Sequence, residues 1–438
     1  MQEPEQAQNS LNEAPTHPSV WDRLVMHPLS RIGPGLITGV ADDDPSGIAT
    51  YSQAGAQFGL NMLWTMPLAF PLMAVIQAMC AKLGRVTGKG LAANIKDTFS
   101  PSVLRTLVAL LVLANILNIA ADIAAMGEVG ELITHVNRHL LTVCFALGML
   151  ALQVYVPYRH YVVFLKWLSL SLLAYVAVLF TIHVPWHEVV VLTLLPRFDF
   201  NAEAATVIVA VLGTTISPYL FFWQASEEVE DLLRKPNSRA LRVDSDDAPA
   251  ELRRIELDTW SGMFYSNITA YFIILVTGLT LHAVGISKID TAAEAALALR
   301  PLAGNFAFAL FGAGIIGVGL IGVPVLAGSA AYAVAETMGW RWSLEYSAPQ
   351  ARGFYMTIGL CMVAALAIQS SPISPMKALF WSAVINGVVA VPLIIIILLL
   401  VSRRSIMGAY ASGWLTLTIG WVTAATMAIA AIRMVIPG

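Results

Sequence analysis

Three consecutive carboxylates, Asp42, Asp43 and Asp44, run into Pro45, Ser46 and Gly47 in VADDDPSGIATYSQAGAQFG (residues 40–59), and the sequence on both sides is apolar. A single ionised Asp at mid-membrane depth costs about 2.5–3.5 kcal/mol on insertion scales. Three in a row call for water or for a bound positive ion. The other reading of DDDPSG is a turn or a helix N-cap, with Asp44 or Ser46 taking up free N–H groups of a half-helix that begins near Ile48. Capping needs one side chain, however, and leaves two acids unexplained. Asp44 is therefore the first candidate cation ligand and Asp43 the second. Asp42 is assigned to a water-facing vestibule.

A second chemically distinct stretch, GTTISPYLFF (residues 213–222), sets Thr214, Thr215 and Ser217 ahead of Pro218 and Tyr219. Proline removes a backbone donor and disfavours helix at the residue before it. Both stretches therefore read as interruptions of apolar helices, with Gly47 adding backbone freedom to the first. Carbonyls freed at such a break survive in a bilayer only when buried in protein or lining a cavity. The negative ends of the preceding half-helices point at the same place. Thr214 and Ser217 are candidate oxygen ligands from the second break. Ordinary back-bonding of the Thr and Ser hydroxyls to their own helix is the competing reading.

The elements that must position these residues follow from composition. The 438-residue chain is 57% hydrophobic and 12% charged, about half the charged fraction of a soluble globule. Apolar runs of about twenty residues recur. They predict an all-α membrane protein of about eleven spans, near 32–57, 62–84, 102–127, 138–157, 160–184, 203–233, 256–284, 303–337, 353–370, 376–401 and 411–436. Residues 1–25 are polar and read as a disordered tail, and 234–254 as a polar linker. The stretch KIDTAAEAALALR at 288–300 reads as a surface helix. The acid run Glu227, Glu228, Glu230 and Asp231 reads as a solvated face at the inner mouth.

Nineteen of the 25 Lys and Arg residues fall on one set of alternating loops and six on the other. This places the N-terminus in the cytoplasm and, with an odd span count, the C-terminus outside. Interruptions in the first and sixth spans point to two inverted five-helix repeats, 32–184 and 203–401, followed by an eleventh helix at 411–436. Cys80, Cys144 and Cys361 lie in apolar spans and read as packing residues. The histidines sit at span ends or loops, and no convergent catalytic set is visible, so no enzymatic activity is expected. No resident cofactor is expected, and nucleic acid is not an expected partner.

GPGLITGVADDDPSGIATYSQAGAQFGLNMLW, followed by IQAMCAKLGRVTGKGLA, resembles the opening of the NRAMP divalent-metal transporters. That family carries Asp-Pro-Gly-Asn in its first span and Ala-Thr-Val-Met-Pro-His in its sixth. The resemblance implies a LeuT-like fold, in a bacterial-type plasma membrane, that moves divalent cations by alternating access. It puts the family's metal-binding Asp on Asp44, its Asn ligand on Gly47, its carbonyl ligand on Thr214, its Met on Ser217 and its His on Tyr219. The proton-path Asp of the third span falls on Asp122, with Ala125 where the family has Glu, and Arg352 is placed in the same path. Loss of the thioether and the amide leaves an all-oxygen, more acidic site of the kind Mg²⁺ prefers. Lack of the Met is shared with the NRAMP-related magnesium transporters. Mg²⁺ or Mn²⁺ is the favoured cargo; the alternatives are a proton-coupled Mn²⁺/Fe²⁺ importer and, third, an amino-acid or amine transporter.

Overall fold

Helix starts in this chain repeat one local device. Asp44, Ser100 and Ser374 each precede a proline and each accept a backbone N–H from the new helix's first turn. Proline at the first helical position has no N–H to leave unpaired, and the preceding Asp or Ser caps what remains. The computed structural model describes residues 38–39, 41–156, 172–197, 200–234, 239–243, 248–368 and 373–436. The tail at 1–25 and residues 160–171 of the fifth span lie outside the described residues.

The main helices are α1 (Pro45–Phe58), α2 (Thr65–Thr87), α3 (Leu91–Thr98), α4 (Pro101–Thr134), α5 (Arg138–Tyr155), α6 (Ala202–Thr215), α7 (Pro218–Arg234), α8 (Ala248–Thr280), α9 (Ala307–Met338), α10 (Arg352–Ile368), α11 (Pro375–Val401) and α12 (Trp414–Val435). Eight described spans are long and apolar enough to cross a bilayer, with α6 and α7 counted as one, and α10 is a shorter apolar helix. The Leu173–Val178 helix is the described remnant of the fifth span.

Both interruptions occur where the prolines place them. Residues 41–42 are helical, Asp43 and Asp44 are not, and α1 starts at Pro45. In the sixth span α6 ends at Thr215 and α7 starts at Pro218, so Ile216 and Ser217 form the gap. The helices read as the third and eighth spans, α4 and α9, pack on each other. The α1 segment lies against α8, α11 and α6, which encloses the first break.

Close backbone approach substitutes for side-chain packing at several crossings, Gly55 on α8, Gly84 on α7 and Gly213 on α11 among them. A Cβ on Gly213 of α6 would collide with the backbones of Ala383 and Gly387 on α11. Such small-residue contacts draw membrane helices together without polar glue.

Two readings of the chain change. The 234–254 linker is helical from Ala248 onward, because α8 begins there. The acid run is not a solvated face: Glu227, Glu228 and Glu230 are buried. Their neighbours are far away in sequence. Arg254 donates to Glu228 at 2.6 Å, while Glu230 accepts from Tyr332 Oη at 2.9 Å, Ser343 Oγ at 2.7 Å and the Leu344 N–H at 2.8 Å. The 288–300 stretch is helical in short pieces, and Ala292, Ala295, Ala296 and Leu299 are buried.

Candidate cation site at the two helix breaks

Asp44 is the N-cap of α1 and also the meeting point of four spans. Its Oδ1 accepts from Ser46 Oγ at 2.6 Å and from the Gly47 N–H at 2.9 Å. Oδ2 accepts from Asn118 Nδ2 of α4 at 2.9 Å and from Tyr219 Oη of α7 at 3.3 Å. The capping and cation readings of DDDPSG are therefore compatible, because one carboxylate serves the helix end while facing the second break. A Cβ on Gly322 of α9 would stand 2.9 Å from Asp44 Cβ, so the eighth span closes the remaining side with bare backbone.

The two breaks are also joined at Gly47. A Cβ there would lie 3.2 Å from Thr214 Oγ1 and 3.3 Å from the Tyr51 ring. Space that a side chain at position 47 needs is taken by a hydroxyl from the sixth span. Ser217 Oγ turns back on its own helix, donating to the Thr214 carbonyl at 2.6 Å or the Gly213 carbonyl at 2.9 Å. Tyr219 Oη donates alternatively to the Ala41 carbonyl at 3.0 Å. The donor set around Asp44 thus includes carboxylate, carbonyl and hydroxyl oxygens. Among its described hydrogen-bond partners there is no sulfur and no imidazole.

Asp42 and Asp43 belong to a different group. Ser266 Oγ of α8 lies 2.5 Å from Asp42 Oδ2 and 3.0 Å from Asp43 Oδ1. All three acids are at most 1% exposed. Asp42 is therefore not a water-facing vestibule residue in this conformation; its helical turn tucks it against α8. Among the described residues no three His, Cys, Asp or Glu side chains form a ready cation cage.

Asp122 of α4 is fully buried, and among the described residues neither of its oxygens has a hydrogen-bond partner. Arg352 is exposed at the first residue of α10, with no bond joining it to Asp122 among the described residues. Sequence reasoning missed Asn118, Ser266 and Ser382. Asn118 Oδ1 accepts from Ser382 Oγ of α11 at 2.6 Å, so the amide ties Asp44 to the tenth span. A polar Asn one turn before Asp122, inside an otherwise apolar helix, was the available signal for the first of these.

With this geometry in hand, the comparisons define first a class and then a family. The fold is that of LeuT-type transporters. A manganese transporter of Eremococcus coleocola superposes with a TM-score of 0.73 at 18% identity, covering 96% of this chain and 88% of that one. Mhp1, a nucleobase-cation-symport-1 family transporter, gives 0.59 at 17% identity over 92% of each chain. Residues 35–437 match the Nramp family, described as natural resistance-associated macrophage protein-like, and the chain belongs to that family. A relative from Acidiphilium cryptum, the divalent metal cation transporter MntH, is 27% identical over 90% of this chain and 88% of its own length. Eight apolar spans and this kinship make the chain an integral membrane protein.

Proposed function

We propose that this protein is a secondary transporter that carries a divalent cation across the bilayer by alternating access, with Mg²⁺ or Mn²⁺ as cargo. The observation that carries the reading is the convergence of both breaks on Asp44, through Tyr219 from one side and Thr214 against Gly47 from the other. Asp44 is the principal ligand. Carbonyls at Ala41 and Thr214 and the hydroxyl of Ser217 are the oxygens within reach of a small rearrangement, and Asp43 supports the site by charge. Gly47 contributes room and backbone.

Each Asp44 oxygen already accepts two hydrogen bonds, about the capacity of a carboxylate oxygen. An entering cation must therefore replace a donor. The Tyr219 hydroxyl is the longest of the four contacts and has the Ala41 carbonyl as an alternative acceptor. Its release exposes a lone pair of Asp44 facing the sixth-span break. An oxygen-only set suits hard ions, and Mg²⁺ in particular keeps several waters while taking one or two carboxylates.

The second reading, a proton-coupled Mn²⁺/Fe²⁺ importer, is favoured by buried Asp122, a carboxyl with no hydrogen-bond partner among the described residues. An amino-acid transporter on the same architecture fits poorly, because a carboxylate substrate needs a half-helix end free of competing negative charge. The deciding experiment is flux into proteoliposomes, wild type against Asp44→Ala, for Mg²⁺, Mn²⁺ and Cd²⁺ with and without a pH gradient. Loss of flux in the variant is the expected result. Equal flux would reject the site, and flux that requires the gradient would favour the second reading.

A further inference from the structure

Away from the helix breaks, a cavity of about 390 Å³ opens between α3, the 239–243 turn and the turn after α11. It lies on the face whose Lys and Arg content assigns it to the cytoplasm. Three cations line it from three separate segments: Lys89 between α2 and α3, Arg242 in the 239–243 turn, and Arg403 just past α11. Thr98 and Ser405 add hydroxyls. The one carboxylate in the lining, Asp97, is already engaged by Lys89 Nζ at 2.7 Å.

The two guanidinium groups are not so engaged. Arg242 donates a single bond to the Ile406 carbonyl at 3.1 Å, and Arg403 sits 5.3 Å over the Phe99 ring. Among the described residues neither is ion-paired. Their placement is built rather than incidental. The Leu241 and Arg242 N–H groups donate to the Arg85 and Val86 carbonyls at 3.2 Å each, which pins the turn to the end of α2. Two like charges held at one cavity repel unless something negative lies between them.

We infer that this cavity binds a phosphate-bearing anion, with Arg242 and Arg403 each presenting paired N–H donors to its oxygens. Two sources carry that chemistry, the headgroup of an acidic phospholipid and a soluble phosphoanion. A basic pocket between spans on the cytoplasmic side is a favourable place for the former. Its cations come from the α2–α3, α7–α8 and α11–α12 connections, so an occupant bridges three loops through their side chains.

The test uses full-length protein in detergent. Native mass spectrometry counts phosphatidylglycerol and cardiolipin retained, and titration with inorganic pyrophosphate measures the soluble arm. Wild type is compared with Arg242→Gln/Arg403→Gln, with Arg403→Lys, and with Arg253→Gln/Arg341→Gln, which removes two exposed charges elsewhere. The cavity variant is expected to lose about tenfold or more in binding, with Arg403→Lys intermediate and the control pair close to wild type. Retained lipid identifies the headgroup as occupant, and pyrophosphate binding alone identifies the soluble anion. Equal loss in the control pair, or no phosphate ligand bound in either arm, overturns the inference. Asp44→Ala should bind the anion as wild type does, which separates this result from the transport reading.

Discussion

The Tyr219 hydroxyl stands 3.3 Å from Asp44 Oδ2, joining the start of the half-helix after the second break to the cap of the half-helix after the first. It holds the carboxylate and at the same time blocks it. Tyr219→Phe removes a donor that an incoming cation must displace. Affinity for Mg²⁺ and Mn²⁺ should rise by about three- to tenfold, the worth of one net hydrogen bond. Isothermal titration measures it; weaker binding in the variant would mean that the hydroxyl is itself a ligand.

Gly47 and Thr214 divide one volume between them, as the 3.2 Å approach of a notional Cβ to Thr214 Oγ1 indicates. The family pattern has Asn and Ala at these positions, a large and a small residue, and this chain has the reverse arrangement. Gly47→Asn alone should impair binding because Thr214 occupies the space. Gly47→Asn/Thr214→Ala should recover it and shift preference from Mg²⁺ toward Mn²⁺. Competitive uptake of the two ions in proteoliposomes reads the outcome, and additivity of the two single variants would sink the coupling.

Ser217 bonds back to its own helix, so its replacement does two things. Ser217→Met frees the Thr214 carbonyl and brings a thioether to the break. Cd²⁺ and Mn²⁺ uptake should gain on Mg²⁺, because sulfur favours softer ions. Unchanged selectivity would place position 217 outside the ion's coordination shell.

Arg254 is the counter-charge of buried Glu228, whose side chain is 1% exposed. Arg254→Gln strands that carboxylate and should cost about 3 kcal/mol, seen as a lower melting temperature in detergent. Glu228→Gln in the same chain should return most of the loss. A melting temperature equal to wild type in the single variant would show the pair to be dispensable.

Local chemistry made both breaks legible: Asp-Pro and Ser-Pro in apolar runs determine where a helix stops and restarts, whatever the tertiary context. The family's motif located Asp44 and its counterparts in the sixth span by register. Partners set by packing were not legible. Nothing near Asp42 and Asp43 announces Ser266, more than 220 residues away, whose hydroxyl lies against both acids and holds Asp42 off the water-facing position its polarity suggests. The acid run misled for the same reason, since its solvation is replaced by Arg254, Tyr332 and Ser343 from distant segments. The family resemblance puts Arg352 in the proton path by register alone, and register does not reveal that the side chain is exposed at the start of α10.

Where Gly213 meets Gly387, two helices touch main chain to main chain, with no layer of side chains to slide or repack. That half of the sixth span is soldered to the tenth, and its other half meets α2 in the same way, where a Cβ on Gly84 would collide with the backbone of Ala225. A methyl added at Gly213 or Gly84 would wedge one half-helix off its neighbour, so neither position has room for any residue but glycine.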